Sequence, residues 1–107
     1  MYYTLSRKTY LNFKREVGEM LFMDIMTWDK KDDMELGKRY EEWKYPEGYN
    51  VIAEWSDLSS CRVFVIYELD NAEAYMAATF PWRDIIKCET IPVMETQKAM
   101  EFFAKLM

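Results

Sequence analysis

The stretch YNVIAEWSDLSSCRVFVIYEL (residues 49–69) decides the fold of this chain. Two runs rich in β-branched and aromatic residues, 49–55 and 61–69, flank a short polar segment that has the length of a hairpin connection. The pattern predicts two antiparallel strands joined by a turn. We expect Asp57 to bond the amides of this turn and Trp55 to lie in the core, so that the pair anchors the hairpin.

Helical patterns lie on both sides of this hairpin. Before it, Leu36, Tyr40 and Trp43 repeat at i, i+4 and i+7, after a charged cluster that supplies helix caps. After it, Asn71 can cap a helix that Pro81 ends, because proline lacks the amide hydrogen that a helix needs. A further apolar stripe predicts a last helix from about residue 95.

Strand patterns complete the set at residues 21–28 and 85–94, where side chains alternate with a period of two. The resulting order is strand, helix, two strands, helix, strand. This order is typical of an α+β, ferredoxin-like βαββαβ split sheet with strand order 4-1-3-2. We expect one extra helix at each end of this unit.

The first 19 residues differ from the rest of the chain in charge. Residues 1–19 carry a net charge of +2 (4 − 2), whereas residues 20–107 carry −7 (10 − 17). The first segment also has an apolar helical stripe made of Tyr10, Phe13 and Val17. We therefore expect residues 1–19 to form a helical extension that docks on a domain of residues 20–107. The alternatives are a natural start at Met20 and a basic arm for an acidic partner.

Composition sets the broad class of the protein. The chain of 107 residues suits one small domain, and half of its residues are hydrophobic, which is enough for a core without disulfides. The net charge of −5 opposes binding to nucleic acid or to an anionic membrane. Without a secretory signal or an apolar run of about 20 residues, a cytoplasmic protein is expected. We expect Cys61 and Cys88 to be free, buried thiols.

The alternation of each strand sorts its side chains onto two faces. An almost wholly apolar set is expected under the helices, namely Leu21, Met23, Ile25, Val51, Ala53, Trp55, Val63, Val65, Tyr67, Ile86 and Cys88. The other face mixes large apolar groups with charges, namely Phe22, Asp24, Met26, Trp28, Ile52, Glu54, Arg62, Phe64, Ile66, Glu68, Lys87, Glu89 and Ile91. Because water would otherwise meet this apolar area, we expect a second copy of the chain to cover it. The candidates for the dimer interface are Phe22, Trp28, Phe64, Ile66 and Ile91.

The absence of histidine from the whole chain limits the chemistry of the mixed face. It removes the commonest general base near neutral pH, the His-dependent triads and His-ligated haem. Four carboxylates are expected on this face, on Asp24, Glu54, Glu68 and Glu89. Arg62 and Lys87 on the same face favour ion pairs over a metal site or acid–base catalysis. We assign no catalytic residue, no metal and no cofactor.

The run Pro81-Trp-Arg-Asp84 follows the end of a predicted helix. In a structural interpretation, Trp82 packs the corner and Arg83 neutralises the last helical carbonyls. In a functional interpretation, the two side chains form the mouth of a pocket, as an aromatic wall and a cation for an anionic or planar ligand. The candidate pocket residues are then Asp24, Glu54, Arg62, Glu68, Trp82, Arg83 and Glu89.

Three segments, in their order and spacing, resemble one family. They are YPEGYNVIAEWSDL (residues 45–58), RVFVIYELD (residues 62–70), and Pro81-Trp-Arg-Asp84 followed by Glu89-Thr-Ile-Pro-Val93. They are similar to the uncharacterised DUF3303 family of small bacterial and archaeal proteins, over about residues 20–95. The resemblance implies a dimeric α+β barrel, as in the antibiotic biosynthesis monooxygenase and related ligand-binding families. It transfers no catalytic residue, and residues 1–19 depart from the usual start of the family.

Three functions fit these observations. The first is a homodimeric α+β barrel that binds a small apolar or weakly anionic ligand without catalysis. The second is a cofactor-free oxygenase or isomerase with a buried carboxylate base, and the third is a protein–protein interaction module. A cavity of about 300 Å³ or more that holds an unpaired carboxylate would favour the enzyme over the binding domain.

Overall fold

The structure, a computed structural model, describes residues 20–107. These residues form a small α+β unit with one four-stranded antiparallel sheet and three helices. The strands are β1 (Leu21–Trp28), β2 (Tyr49–Asp57), β3 (Arg62–Leu69) and β4 (Ile86–Val93). The helices are α1 (Asp33–Glu41), α2 (Ala72–Thr79) and α3 (Thr96–Leu106). The predicted order of elements along this part of the chain is confirmed, whereas the expected helix within residues 1–19 lies outside the described residues.

The sheet has the order β4-β1-β3-β2, and every neighbouring pair is antiparallel. The predicted hairpin therefore joins the edge strand β2 to β3, while β1 lies between β3 and β4. The turn of the hairpin is held as expected, because the Asp57 side chain accepts a hydrogen bond of 2.8 Å from the Ser59 amide. Short 3₁₀ turns precede α1 and follow α2, at Lys30–Asp32 and Phe80–Trp82.

The register of β1 reverses the predicted assignment of its faces. Phe22 lies opposite Tyr67, Asp24 opposite Val65, and Met26 opposite Val63. Partners across an antiparallel pair share a face, and Tyr67 and Val65 belong to the core beneath α2. The side chains of β1 under the helices are therefore Phe22, Asp24, Met26 and Trp28, and the prediction of Leu21, Met23 and Ile25 for that position is wrong. We call this side of the sheet the covered face and the opposite side the open face.

A β-bulge changes the faces of β2 part of the way along the strand. Val51 pairs with Tyr67, but the register then shifts, so that Ala53 pairs with Ile66 and Glu54 with Val65. The extra residue of a bulge moves each later side chain to the opposite face. Glu54 consequently lies on the covered face, whereas Ala53 and Trp55 lie on the open face. The predicted burial of Trp55 is wrong, since 52% of this residue is exposed.

The core of the covered face combines stacked tyrosine rings with Met26, Val51 and Val65 of the strands and two small helical residues. The rings of Tyr45, Tyr49 and Tyr67 stack in sequence, with centroids 5.1 and 4.0 Å apart. Ala74 and Ala78 of α2 pack against this stack and leave room for it, because their side chains are short. The tyrosines of the core therefore form a layer between the sheet and α2.

Two interactions position the helices above the sheet, a helix cap and an ion pair between distant residues. The Asn71 side chain accepts a hydrogen bond of 2.8 Å from the Ala74 amide and so caps α2 as predicted. The guanidinium of Arg39 in α1 donates to both carboxylate oxygens of Asp84, at 2.9 and 2.6 Å. Asp84 lies two residues before the start of β4. Because α1 ends at Glu41, the predicted helical residue Trp43 lies in the connection to β2. This connection places its aromatic side chains beside the sheet.

The last helix, α3, presents an apolar stripe. Four of its large side chains, Met100, Phe102, Phe103 and Leu106, are each more than half exposed. The predicted last helix is confirmed, because residues Thr96–Leu106 are helical.

Candidate functional site

A half-open pocket lies between the covered face and α1. Its walls are mainly aromatic, and the rings belong to Trp28, Tyr40, Trp43, Tyr45 and Trp82. Met26, Leu36 and Val63 add aliphatic surface, and the Glu54 side chain reaches the pocket from β2. The pocket offers about 40 Å³ to water, which is room for roughly three molecules. Its dimensions suit a small group better than a large ligand.

The rings of the pocket stand at steep angles to each other. The Trp43 ring meets the Tyr45 ring at 75° and the Trp82 ring at 81°, with centroids 5.7 and 5.4 Å apart. Edge-to-face contacts of this kind are favourable because the positive edge of one ring meets the negative face of the other. The contacts therefore fix the orientation of three of the walls.

Hydrogen bonds fix the remaining walls through their polar edges. The hydroxyl groups of Tyr40 and Tyr45 both donate to Glu54, one to each carboxylate oxygen. The indole N–H of Trp28 donates to Asp33 Oδ1 at 2.7 Å. Each of these three aromatic side chains thus has its polar edge on a carboxylate. These hydrogen bonds hold the three rings in their positions in the walls of the pocket.

A second polar feature, the Asp24 cluster, is sealed inside the covered face. Asp24 is fully buried, and its carboxylate accepts hydrogen bonds from Tyr49 at 2.9 Å, Tyr67 at 2.6 Å and Thr90 at 2.7 Å. Since the Thr90 hydroxyl donates to Asp24, it accepts at 2.6 Å from the Tyr75 hydroxyl. We define these five residues as the Asp24 cluster. Three hydroxyl donors satisfy a carboxylate that would otherwise be very costly to bury.

The cluster holds its hydroxyl and thiol groups in their protonated forms. Burial and the charge of Asp24 raise the pKa of Tyr49, and burial and the hydrogen bond to Asp24 raise the pKa of Tyr67. Burial, followed by the charge of Asp24, raises the pKa of the neighbouring Cys88 thiol to about 11. Groups that keep their protons near neutral pH are poor bases and poor nucleophiles. The cluster is therefore suited to stability more than to catalysis.

The predicted pocket residues fall into four places, three of them on the side of the pocket or near it and the fourth on the open face. Glu54 and Trp82 line the pocket, and Trp82 is 7% exposed. Asp24 lies on the covered face as well, but it is not among the residues that line the pocket. The guanidinium of Arg83 lies over the Phe80 ring at 5.1 Å, outside the pocket. The prediction that Asp24 and Glu54 share one face with Glu68 and Glu89 is wrong. The register of β1 and the bulge in β2 place Asp24 and Glu54 on the covered face.

The other predicted pocket residues lie on the open face. Arg62 pairs with Asp57 at 2.9 Å. The hydrogen bonds from Ser59 contribute most to lowering the pKa of Asp57, which falls to about 2. The interaction with Arg62 adds to this effect. Glu68 is buried and accepts a hydrogen bond from Asn50. Glu89 pairs with Ile25 across the strands and is exposed. The sheet itself separates these groups from the pocket.

The five predicted interface residues also separate into two groups. Phe64, Ile66 and Ile91 lie on the open face, where each is half-buried. Phe22 and Trp28 lie on the covered face, where Phe22 packs 5.9 Å from the Tyr67 ring and Trp28 lines the pocket. The expectation that they lie on the open face is wrong. An interface through the open face would therefore use the first three residues and not the last two.

Several site residues were not predicted from the sequence. They are Trp28, Tyr40, Trp43 and Tyr45 of the pocket, and Tyr49, Tyr67, Tyr75 and Thr90 of the Asp24 cluster. A signal was available for the cluster, since Asp24 is a single carboxylate within an otherwise apolar strand. Had Asp24 been assigned to the core, it would have required hydroxyl donors, and the tyrosines of neighbouring strands are the obvious source.

Three further observations concern residues 20–107. In this part of the chain no group of three or more His, Cys, Asp or Glu side chains is placed to hold a metal ion. None of the helices in the same range has the length and apolar character to cross a membrane. Cys61 and Cys88 are free thiols, but both are partly buried and not fully buried as expected.

Comparisons with known proteins give one match. The family model of DUF3303, a domain of unknown function, matches residues 20–107. No curated protein and no solved structure matches the chain. The matched range begins one residue before β1 and includes α3, so it contains the whole sheet, the pocket and the Asp24 cluster. The chain therefore belongs to the DUF3303 family.

Proposed function

We propose that this protein is a small-molecule binding domain that works without catalysis. The observation that carries the proposal is the aromatic pocket between the sheet and α1. Ligand sites in proteins are concave and mostly apolar, with a few polar groups. The pocket is concave and mostly apolar, with Glu54 as its polar group.

Binding is favoured over catalysis by the condition of the two carboxylates. Both oxygens of Glu54 accept tyrosine hydroxyl groups, and Asp24 is surrounded by three donors. A general base needs an acceptor that can reach a proton of the substrate. The pocket volume of about 40 Å³ is also far below the size that would favour an enzyme with a buried base. These features count against a general base at either carboxylate.

We also propose that two copies of the chain assemble through their open faces, as a ferredoxin-like, dimeric α+β barrel. The sheet order and the antiparallel pairing are compatible with such a unit. Phe64, Ile66 and Ile91 supply apolar area on the open face, and closed two-fold dimers are the commonest assembly. The ligand pockets would then lie on the outer sides of the two sheets.

The first test is the native mass spectrum of the purified protein, compared between two variants of α1. Leu36 lines the pocket, and Leu36→Trp is expected to fill it. Met34 lies on the same helix and is 87% exposed, so Met34→Trp adds the same ring outside the pocket. We expect a dimer with a retained small molecule for the wild type and for Met34→Trp, and a dimer without it for Leu36→Trp.

Two results would count against the proposal. A retained molecule on Leu36→Trp would place the ligand elsewhere. The second result combines two observations. None of the three proteins retains extra mass, and none of three probe compounds, 3,3-dimethylbutan-1-ol, choline and 3,3-dimethylbutanoate, binds in a saturable manner. This result would contradict the presence of a ligand site. A monomer would contradict the assembly alone.

A further inference from the structure

We infer that the pocket binds an organic cation, namely the head group of a small methylated ammonium compound. The inference rests on the proposed function and names the class of ligand. It replaces the expected weakly anionic ligand with one of the opposite charge. Four features of the pocket support it: its charge, the faces of its rings, the groups behind those rings, and its size.

The charge of the pocket favours a cation. Among the described residues that line it, Glu54 carries the charge, and none is Lys or Arg. Arg39 of α1 is held by Asp84 and Glu35, at 2.6 and 2.8 Å. Among the described lining residues, an anion would meet the Glu54 carboxylate and no basic side chain to offset it. The net charge of −5 also attracts cations at long range.

The described walls of the pocket are mainly aromatic rings. Trp43 stands nearly perpendicular to both Tyr45 and Trp82, so these three rings form adjoining walls and not a parallel stack. A cation over the face of Trp or Tyr is attracted by the ring quadrupole, and Trp attracts it most strongly. Three tryptophans and two tyrosines line this pocket. Several such faces around one site are the arrangement by which proteins recognise quaternary ammonium groups.

The carboxylates behind the rings strengthen this effect. Tyr40 and Tyr45 donate to Glu54, and Trp28 donates to Asp33. Hydrogen bonds polarise the groups that they join, so a ring that donates to a carboxylate becomes more electron-rich. The same bonds hold the rings in position, which reduces the entropy lost on binding. A cation thus meets aromatic rings that are polarised by their hydrogen bonds to Glu54 and Asp33.

The size and polarity of the pocket select the chemical form of the cation. A volume of about 40 Å³ admits a head group of a few heavy atoms, and the half-open mouth leaves the rest of the ligand in solvent. A primary ammonium has three N–H donors to satisfy, but each Glu54 oxygen already accepts from a phenol and has about one acceptor site left. A methylated ammonium has little or no need for such acceptors and has an apolar surface that suits aromatic walls. The pocket therefore fits a methylated head group best.

The test compares three compounds of nearly the same shape by calorimetric titration of the full chain. They are choline, 3,3-dimethylbutan-1-ol, in which carbon replaces the quaternary nitrogen, and 3,3-dimethylbutanoate, which carries a negative charge. We expect choline to bind about tenfold tighter than the alcohol, or more, and the anion to bind most weakly. Glu54→Gln is expected to lower the ratio of choline affinity to alcohol affinity, whereas Glu89→Gln, on the open face, leaves that ratio unchanged.

The outcomes separate the inference from the proposed function. Equal affinities for choline and the alcohol in the wild type would overturn the cation inference and leave a neutral ligand site. Absence of binding by all three compounds would also overturn the cation inference, and it would overturn the proposed function only together with native mass spectra that show no retained molecule. The wild-type comparison needs no variant, so the inference remains testable even if Glu54→Gln fails to fold.

Discussion

Asp24 shows how a buried carboxylate can be supported by hydroxyl groups, two from tyrosines and one from Thr90. Its carboxylate is fully buried and accepts three hydroxyl groups. Each donor must keep its proton to stabilise the carboxylate, and the raised pKa values of Tyr49 and Tyr67 are the consequence. The stability of the core is therefore linked to the protonation of these side chains.

This linkage predicts a loss of stability in alkali. The ordinary pKa of tyrosine is 10.0, and that of folded Tyr67 is higher. Its contribution is therefore fully present below about pH 10 and is lost as pH rises from there through the folded pKa. We expect Tyr67→Phe to lower the free energy of unfolding by about 2 kcal/mol at pH 8, because one donor to Asp24 is lost. Its stability should then fall less steeply than that of the wild type between pH 9 and 11.

Urea unfolding at several pH values measures both effects. Glu89→Gln serves as the control, since Glu89 is exposed on the opposite face of the sheet and should follow the wild type. Parallel pH profiles for the wild type and Tyr67→Phe would contradict the linkage.

Single residues were predictable where their chemistry is local. Asn71 caps α2 and Asp57 bonds the Ser59 amide, because both side chains act on the backbone two or three residues away. The partners of Asp24 and Glu54 were not predictable in this way. They come from distant parts of the chain, and they depend on which face of the sheet each carboxylate occupies.

The strands explain why the faces were difficult to assign. In β1, apolar side chains occupy both alternating sets, so the hydrophobic pattern does not decide which set is covered. In β2, the bulge between Val51 and Ala53 shifts the alternation, and the sequence there has no glycine or proline to mark it. The hairpin and the type of each element could be predicted, but the register that places Glu54 in the pocket could not.

The turn into β2 depends on one glycine. Gly48 has φ of +93°, and an added Cβ would lie 3.0 Å from the Ala74 Cβ of α2. We expect Gly48→Ala to destabilise the protein by about 1–3 kcal/mol, because of backbone strain and the close approach to α2. Gly37 lies in α1 with nothing within 4 Å of its added Cβ. Gly37→Ala should therefore stabilise the protein by about 0.5–1 kcal/mol.

Thermal or urea unfolding of the two glycine variants checks this prediction. The same chemical change should have opposite effects at the two positions. A neutral or stabilising effect of Gly48→Ala would show that the turn does not require a left-handed conformation.

For the whole molecule, the α+β class and the order of elements follow from the sequence, because cap, turn and proline residues separate segments of strand-like and helix-like pattern. The pocket does not follow from it. Its walls come from β1, α1, the connection after α1 and the 3₁₀ turn after α2. Trp43 and Tyr45 reach the pocket because α1 ends at Glu41, earlier than its apolar repeat indicates.

The four tryptophans of the chain allow the pocket to be tested in the whole molecule. Trp28, Trp43 and Trp82 line it, whereas Trp55 lies on the open face and serves as an internal control. The decisive measurement is the set of four ¹H–¹⁵N indole signals during titration with choline. We expect the signals of Trp28, Trp43 and Trp82 to shift in a saturable manner while that of Trp55 stays in place. A saturable shift of Trp55 alone, or no shift of the other three, would contradict a ligand site between the sheet and α1.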